Sequence, residues 1–220
     1  MKQRANARVE LGGRAAQGEL RTLPVALPDD TALAHAIIAG SDRAAALAWD
    51  RFAPLVRTLA WKALGPSADI DDLVQDVFMT LFRRAPDLRE PAALSSFVVG
   101  ISVRCIRFEL RKRRLRRWLS FLAPEELPEL ETPEVDHAAR AGLRATYRVL
   151  DKLDADSRLA FVLRHAQGLE LTEIAEALEC SLATAKRRLA KAEARLTFHA
   201  RREPELVPFL GAATSEEGEP

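Results

Sequence analysis

Cysteine is scarce in this 220-residue chain, and the two present, Cys105 and Cys180, stand alone in helical patterns with neither CxxC nor Cys/His ligand spacing. That argues against a disulfide framework or a zinc site, and both thiols are expected reduced, in or near a core. Aromatic residues are few, with one Tyr, three Trp and nine Phe, so segments rich in β-structure are not expected. No apolar run approaches the roughly 20 residues of a membrane span, and residues 1–28 lack the apolar stretch of a signal peptide. The chain is therefore expected in the cytoplasm, without membrane insertion. Glycine-rich phosphate loops, HExxH patterns and nucleophile–base pairs are missing, and His35, His137, His165 and His199 are dispersed. No enzymatic activity, metal site or cofactor is expected. Net charge is nearly absent as well, +1 from 33 basic and 32 acidic residues, so any affinity for a polyanion must come from how the charges are grouped.

What is present is Ala, Leu, Arg and Glu, a helical bias. The expected fold is all-α: two small helical domains with separate cores, joined by an acidic, Pro-containing linker. Residues 1–28, with Gly12, Gly13, Gly18, Pro24 and Pro28, have the composition of a flexible, slightly basic arm. Residues 29–119 form the first domain. Asp30 or Thr31 is expected to cap its first helix and Ser41 or Asp42 its second, which Pro54 interrupts or kinks. Residues 120–138 are the linker; between Phe121 and His137 lie six acidic residues, three prolines and no Lys or Arg. Residues 139–202, free of proline, form the second domain. Residues 203–220 are an acidic tail, which Leu206, Val207 and Phe209 can fold back onto that domain.

Three segments carry chemistry. Residues 171–196 read as a helix-turn-helix: Ala175 is small where two helices must approach, Ile174 and Leu178 fill the space between them, and Ser181 is a good N-cap. The following helix bears Lys186, Arg187, Arg188, Lys191 and Arg195 against Glu193 alone, which suits a helix lying in a DNA groove, although a basic solvated helix of an ordinary bundle has the same composition. From Arg104 to Arg117 there are eight basic residues and one acidic. Phe97, Ile101, Cys105 and Phe108 line one side of this long helix, and Val99, Val103, Ile106 and Leu110 another. Arg104, Arg107, Arg111 and Arg114 project between them as a track for phosphates, or as a solvated helix end favoured by the dipole. The third is Asp69-Ile70-Asp71-Asp72-Leu73-Val74-Gln75-Asp76, opening a helix whose Leu73, Val74, Val77, Phe78, Leu81 and Phe82 share one face. Its opposite face, with Asp72, Gln75, Asp76, Met79 and Arg83, reads as a protein-binding surface, an ordinary acidic helix start, or, lacking further ligands nearby, least well as a metal site.

The order of these motifs resembles the extracytoplasmic-function sigma factors over about residues 30–200. The resemblance implies an initiation factor that binds core RNA polymerase, reads and opens promoter DNA, is a monomer when free, and has an anti-sigma factor among its partners. It maps polymerase contact onto Asp69, Asp72, Gln75, Asp76 and Met79. Minus-ten contact maps onto Arg104, Arg107, Arg111, Lys112, Arg113 and Arg114, and minus-thirty-five contact onto Thr184, Lys186, Arg187, Arg188 and Lys191. Phe97, Arg104 and Phe108 depart from the family's usual Trp, Asn and Asp. Glu170 replaces a usual Ser cap, and Glu179 stands where Gly is common, at a cost of about 1 kcal/mol if that residue is left-handed. The competing reading is a stand-alone helix-turn-helix regulator that binds a palindrome as a dimer.

Overall fold

The computed structural model describes residues 29–66, 69–119 and 137–207, and among these the chain is helical, with no strand. The arm, the linker from 120 to 136, and the tail beyond Val207, including Phe209, lie outside the described residues. A first unit contains α1 (Asp30–Ile38), α2 (Asp42–Leu64), α3 (Ile70–Arg84) and α4 (Leu94–Leu119), with short 3₁₀ turns at Ala85–Asp87 and Pro91–Ala93. A second contains α5 (His137–Leu150), α6 (Ala155–Gln167), α7 (Leu171–Ala177) and α8 (Leu182–Ala200), closed by a 3₁₀ turn at Pro204–Leu206.

Caps explain most of the helix starts. Asp29, rather than Asp30 or Thr31, caps α1 by accepting from the Ala32 N–H at 2.7 Å. Asp30 is thereby free to tie three elements: its carboxylate pairs with Arg51 of α2 and accepts from the Ser95 N–H of α4 at 2.9 Å. Burial pushes its pKa upward, but the Ser95 hydrogen bonds and Arg51 outweigh that and hold it below the usual carboxylate range. Ser41 caps α2 and Ser181 caps α8. Pro54 does not break α2, which runs unbroken through it. Both Pro54 and Asp50, whose carbonyl the ring leaves unpaired, are exposed, so water can replace the lost bond.

The apolar stripes fold inward much as their periodicity predicts. Leu73, Val74, Val77, Phe78 and Leu81 of α3 meet Phe52, Val56 and Leu59 of α2 and Val98, Ile101, Ile106 and Leu110 of α4 in one buried cluster. Ala48, Ala60 and Ala63 are fully buried and let the helices approach closely. Two expectations fail here. Phe82 reaches the surface beside Phe78, with ring centroids 6.0 Å apart. Phe108 is 70% exposed, because the second unit and α3 cover the other sides of α4 and leave its outlet uncovered.

The expectation of two separate cores also fails. The main cluster runs without a break from α1 to α4 into Leu159, Val162 and Leu163 of α6, Ile174 of α7 with Leu178 at its C-cap, and Leu189 of α8. The units meet where α6 packs on α2 and α4, and α7 packs on α4. Trp61 and Tyr147 stand edge to face at 6.2 Å, and the Tyr147 hydroxyl donates to the Trp61 carbonyl at 2.9 Å. Gly65, at φ +83°, lies so close to Tyr147 that a Cβ there would stand 3.1 Å from its ring.

Two smaller clusters complete the second unit. In one, Leu206 is buried against Ala145, Val149 and Ala200, and Arg148 pairs with Glu203 at 2.7 Å and Glu205 at 3.2 Å. The expected fold-back is therefore made by Leu206, while Val207 is exposed. Leu206→Ala should lower unfolding stability by about 2 kcal/mol, read as a shifted urea midpoint, because it empties a site at the edge of a core. An unchanged midpoint would mean that the turn merely rests on α5.

Candidate nucleic-acid interface

The turn between α7 and α8 is built from local chemistry. Ile174, Ala175 and Leu178 are buried. The Glu170 N–H donates to the Glu173 carboxylate at 2.7 Å, the half of a capping box that satisfies the N-cap's own amide. Glu179 is left-handed at φ 51°, the only non-glycine residue of positive φ among those described. Ser181 Oγ accepts from the Thr184 N–H at 3.2 Å and opens α8.

From that cap, Lys186 and Arg187 project into solvent, the latter donating to Thr184 Oγ1 at 3.3 Å. Leu182 is half exposed beside them. Arg188 and Lys191 turn back toward the start of α6, where Arg188 meets Asp156 at 3.1 Å and Lys191 meets Asp154 at 2.8 Å. Asp154 also caps α6 through the Ser157 N–H at 2.9 Å. Burial raises its pKa, but the hydrogen bonds from Lys191 and Ser157 prevail and bring it down to about 2. A folded-state pKa below the unfolded value stabilises the fold above the unfolded pKa, and the effect is lost as pH falls through the folded one. Asp154→Asn, which keeps a capping oxygen, should melt below wild type near neutral pH. The gap should close between about pH 4 and pH 2. A gap independent of pH would contradict this origin.

The basic stripe of α4 turns its first half toward the second unit, while Arg111 and Arg114 stay exposed. Arg104 pairs with Glu179 at 2.5 Å, Arg107 with Asp156 at 2.7 Å, and Arg111 with the other oxygen of Asp156 at 3.6 Å. Arg107 also donates to the Leu178 carbonyl at 3.1 Å. Arg113 turns inward to Glu109 at 3.0 Å and the Leu64 carbonyl at 3.3 Å, with Asp69 at 3.9 Å, binding α4 to the α2–α3 corner. Lys112 meets Glu109 at 3.5 Å, and Arg114 is exposed. Arg117 and the buried Arg158 share Asp151, each at 2.5 Å. Trp118 and Leu115, both exposed, line an open cleft with Arg111, Arg114, Arg117 and Asp151.

The carboxylates Asp151, Asp156 and Glu179 are the ion-pair partners of these arginines that sequence reasoning missed. Asp156 reads locally as an ordinary first-turn acid, and nothing in its neighbourhood says that another unit's arginines meet it.

The third candidate surface remains open. Asp72, Gln75, Asp76 and Met79 are all exposed, Met79 at 69%, in a row along α3. Asp71 beside them pairs with Arg57 at 3.0 Å. Trp49, tilted against Phe78 with ring centroids 4.6 Å apart, and Phe82 are also partly exposed. Among the described residues no three His, Cys, Asp or Glu side chains converge as metal ligands, and no helix is long and apolar enough to cross a membrane. Cys105 and Cys180 are free and partly buried. Burial, then Asp76, pushes the Cys105 thiol up.

Comparison with known proteins fits this arrangement. Residues 48–116 match the model of sigma-70 region 2, and residues 143–196 that of sigma-70 region 4. The chain is 31% identical over 136 residues to the RNA polymerase sigma factor NccH of Alcaligenes xylosoxydans xylosoxydans, covering 60% of this chain and 73% of that one. It is 26% identical over 172 residues to the ECF RNA polymerase sigma-E factor of Escherichia coli, covering 74% and 90%. Among solved structures, CnrH in complex with the cytosolic domain of CnrY aligns with a TM-score of 0.55 at 26% identity, covering 76% of this chain and 94% of that one.

Proposed function

The chain belongs to the extracytoplasmic-function class of RNA polymerase sigma factors, and from that premise we propose how its surfaces divide the work of promoter-specific initiation. Residues 29–119 form the module that holds core polymerase and the minus-ten element, and residues 139–202 the module that reads the minus-thirty-five element. Polymerase meets Asp69, Asp72, Gln75, Asp76 and Met79. An exposed methionine with Asp72 and Asp76 on its N-terminal side fits a partner surface that pairs a basic patch with an apolar centre.

In α8, Thr184, Lys186 and Arg187 lie in the first turns, where a helix in the major groove meets base edges, and Arg188 and Lys191 follow toward the phosphates. In α4, Arg104, Arg107, Arg111, Lys112 and Arg114 serve the minus-ten DNA, while the inward contacts of Arg113 favour a role in holding α4 in place. The protein acts by binding, without catalysis of its own, and works in the cytoplasm, where polymerase is found. An anti-sigma partner belongs to the same proposal, by likeness to CnrH, whose structure is that of a complex with CnrY.

The observation that carries this reading is the coexistence, in one chain, of an exposed acidic docking helix and two separate basic helices. A stand-alone regulator needs only one of the latter. Run-off transcription from a pool of promoter fragments tests it. Core polymerase should initiate specifically only when the chain is added, whereas tight promoter binding without polymerase and no initiation would favour the stand-alone regulator.

A further inference from the structure

We propose that Leu182 is a specificity residue, reading a thymine of the minus-thirty-five element through its C5 methyl group. The inference rests on the assignment of α8 to DNA and names what one further side chain of that helix recognises. Leu182 is half exposed at the first position of α8, and among the described residues it joins none of the buried apolar clusters. Packing does not require it there, because Ala185, Leu189 and Ala192 fill the inner face of the helix.

Leu182 does not stand alone on its surface. Lys186 follows it one turn on, and Ala183, Arg187, Ala190 and Ala194, all exposed, continue the same side of the helix. A solvated helix face is ordinarily polar throughout. This one combines a bulky apolar side chain, small residues and two cations, while Glu193, the acid of α8, lies well along the helix and meets His165 at 3.0 Å. Lys186 and Arg187 call for a polyanion as the occupant, and the alanines leave room for it to approach closely. Thr184 is already engaged: its hydroxyl pairs with Ser181 Oγ at 2.9 Å and accepts from Arg187 at 3.3 Å.

In the major groove all four bases present hydrogen-bonding atoms, and thymine alone adds a methyl group. Leu182 has no polar side-chain atom, so it favours a base only through that methyl, whereas Lys186 and Arg187 suit the O6 and N7 acceptors of guanine. Four residues of helix rise by about 6 Å, roughly two base-pair steps. The thymine and a guanine are therefore expected within about two base pairs of each other. Burying one methyl group against leucine is worth about threefold to fivefold in affinity.

The test uses holoenzyme assembled from core polymerase and the full chain. A promoter that the wild type selects from a fragment pool is resynthesised with uracil in place of each thymine of its upstream element in turn, on either strand. Uracil pairs as thymine does and lacks only the methyl. Run-off yield at subsaturating holoenzyme then gives a thymine-to-uracil ratio at each position. The wild type should show a ratio of about three to five at one position. Leu182→Ala should bring that ratio to about one and leave the yield from the uracil promoter unchanged. Alanine is a good helix former and no core contact is lost, so circular dichroism should show a folded variant; should it not, Leu182→Gln decides on the same ratio. A selected element without thymine, a wild-type ratio near one at every thymine, or a ratio that the variant leaves unchanged would overturn the proposal. An equal loss of yield on thymine and uracil promoters would also overturn it, placing Leu182 against protein instead. Absence of run-off with the wild-type chain would strike the functional assignment itself, a result visible before any uracil is introduced.

Discussion

Replacing Asp72 and Asp76 together by arginine should lower run-off transcription at least 100-fold while leaving the chain folded. Both side chains are exposed on α3, and the buried stripe beneath them, Leu73, Val74, Val77 and Phe78, is untouched. Stability should therefore move little, within the ~0.5 kcal/mol usual for surface changes. Binding is another matter. If this face meets a basic surface, two reversals convert attraction into like-charge contact at several kcal/mol, and a 100-fold loss needs only about 2.7 kcal/mol. Met79→Ala should give a smaller defect in the same direction, since it removes the apolar centre and keeps the acids. The control is free duplex binding, which should not fall. A double variant that initiates as well as wild type would remove α3 from the polymerase interface and leave its exposed methionine without an explanation.

Asp151→Ala should be the most destabilising single change, at about 3 kcal/mol. Arg158 is 2% exposed, and its Nε has no hydrogen-bond partner. Burial drives its pKa down, and Asp151 is the main opposing influence. Without that carboxylate a guanidinium is left in the core with no counter-charge. Arg117, on the other oxygen, loses a far more exposed pair that is worth at most about 1 kcal/mol. A second substitution separates the two losses. Arg158→Met in the Asp151→Ala background should recover much of the stability, since an apolar side chain of similar length needs no partner. Urea unfolding of the four members of this cycle measures it. A double variant no more stable than Asp151→Ala alone would show that Asp151 acts through something other than the buried charge.

Helix-turn-helix chemistry was legible because it is local. Ser181 caps α8, Ile174 and Leu178 fill the angle, and Glu179 takes the left-handed conformation that its place in the turn demands. The exposed row of α3 was legible for the same reason, since the helical period identifies which residues share a face. Periodicity could not say how much of each face is covered. Phe108 and Phe82 lie at the margins of apolar stripes, and their exposure depends on which neighbouring element stops where. Pro54 signalled a break, yet packing along the buried face of α2 carries the helix through it.

Composition and pattern therefore determined that this protein is all-helical, roughly where most of its helices lie, and which faces carry acid, base or apolar groups, because each of those depends on neighbours within a turn or two of chain. Only the tertiary structure decided that the apolar cluster is continuous between the units, that Arg113 points inward, and that Arg104, Arg107 and Arg111 end on Glu179 and Asp156. Those outcomes depend on residues about 45 to 105 positions apart meeting in space, and ion pairing carries no period along the chain by which such partners announce themselves.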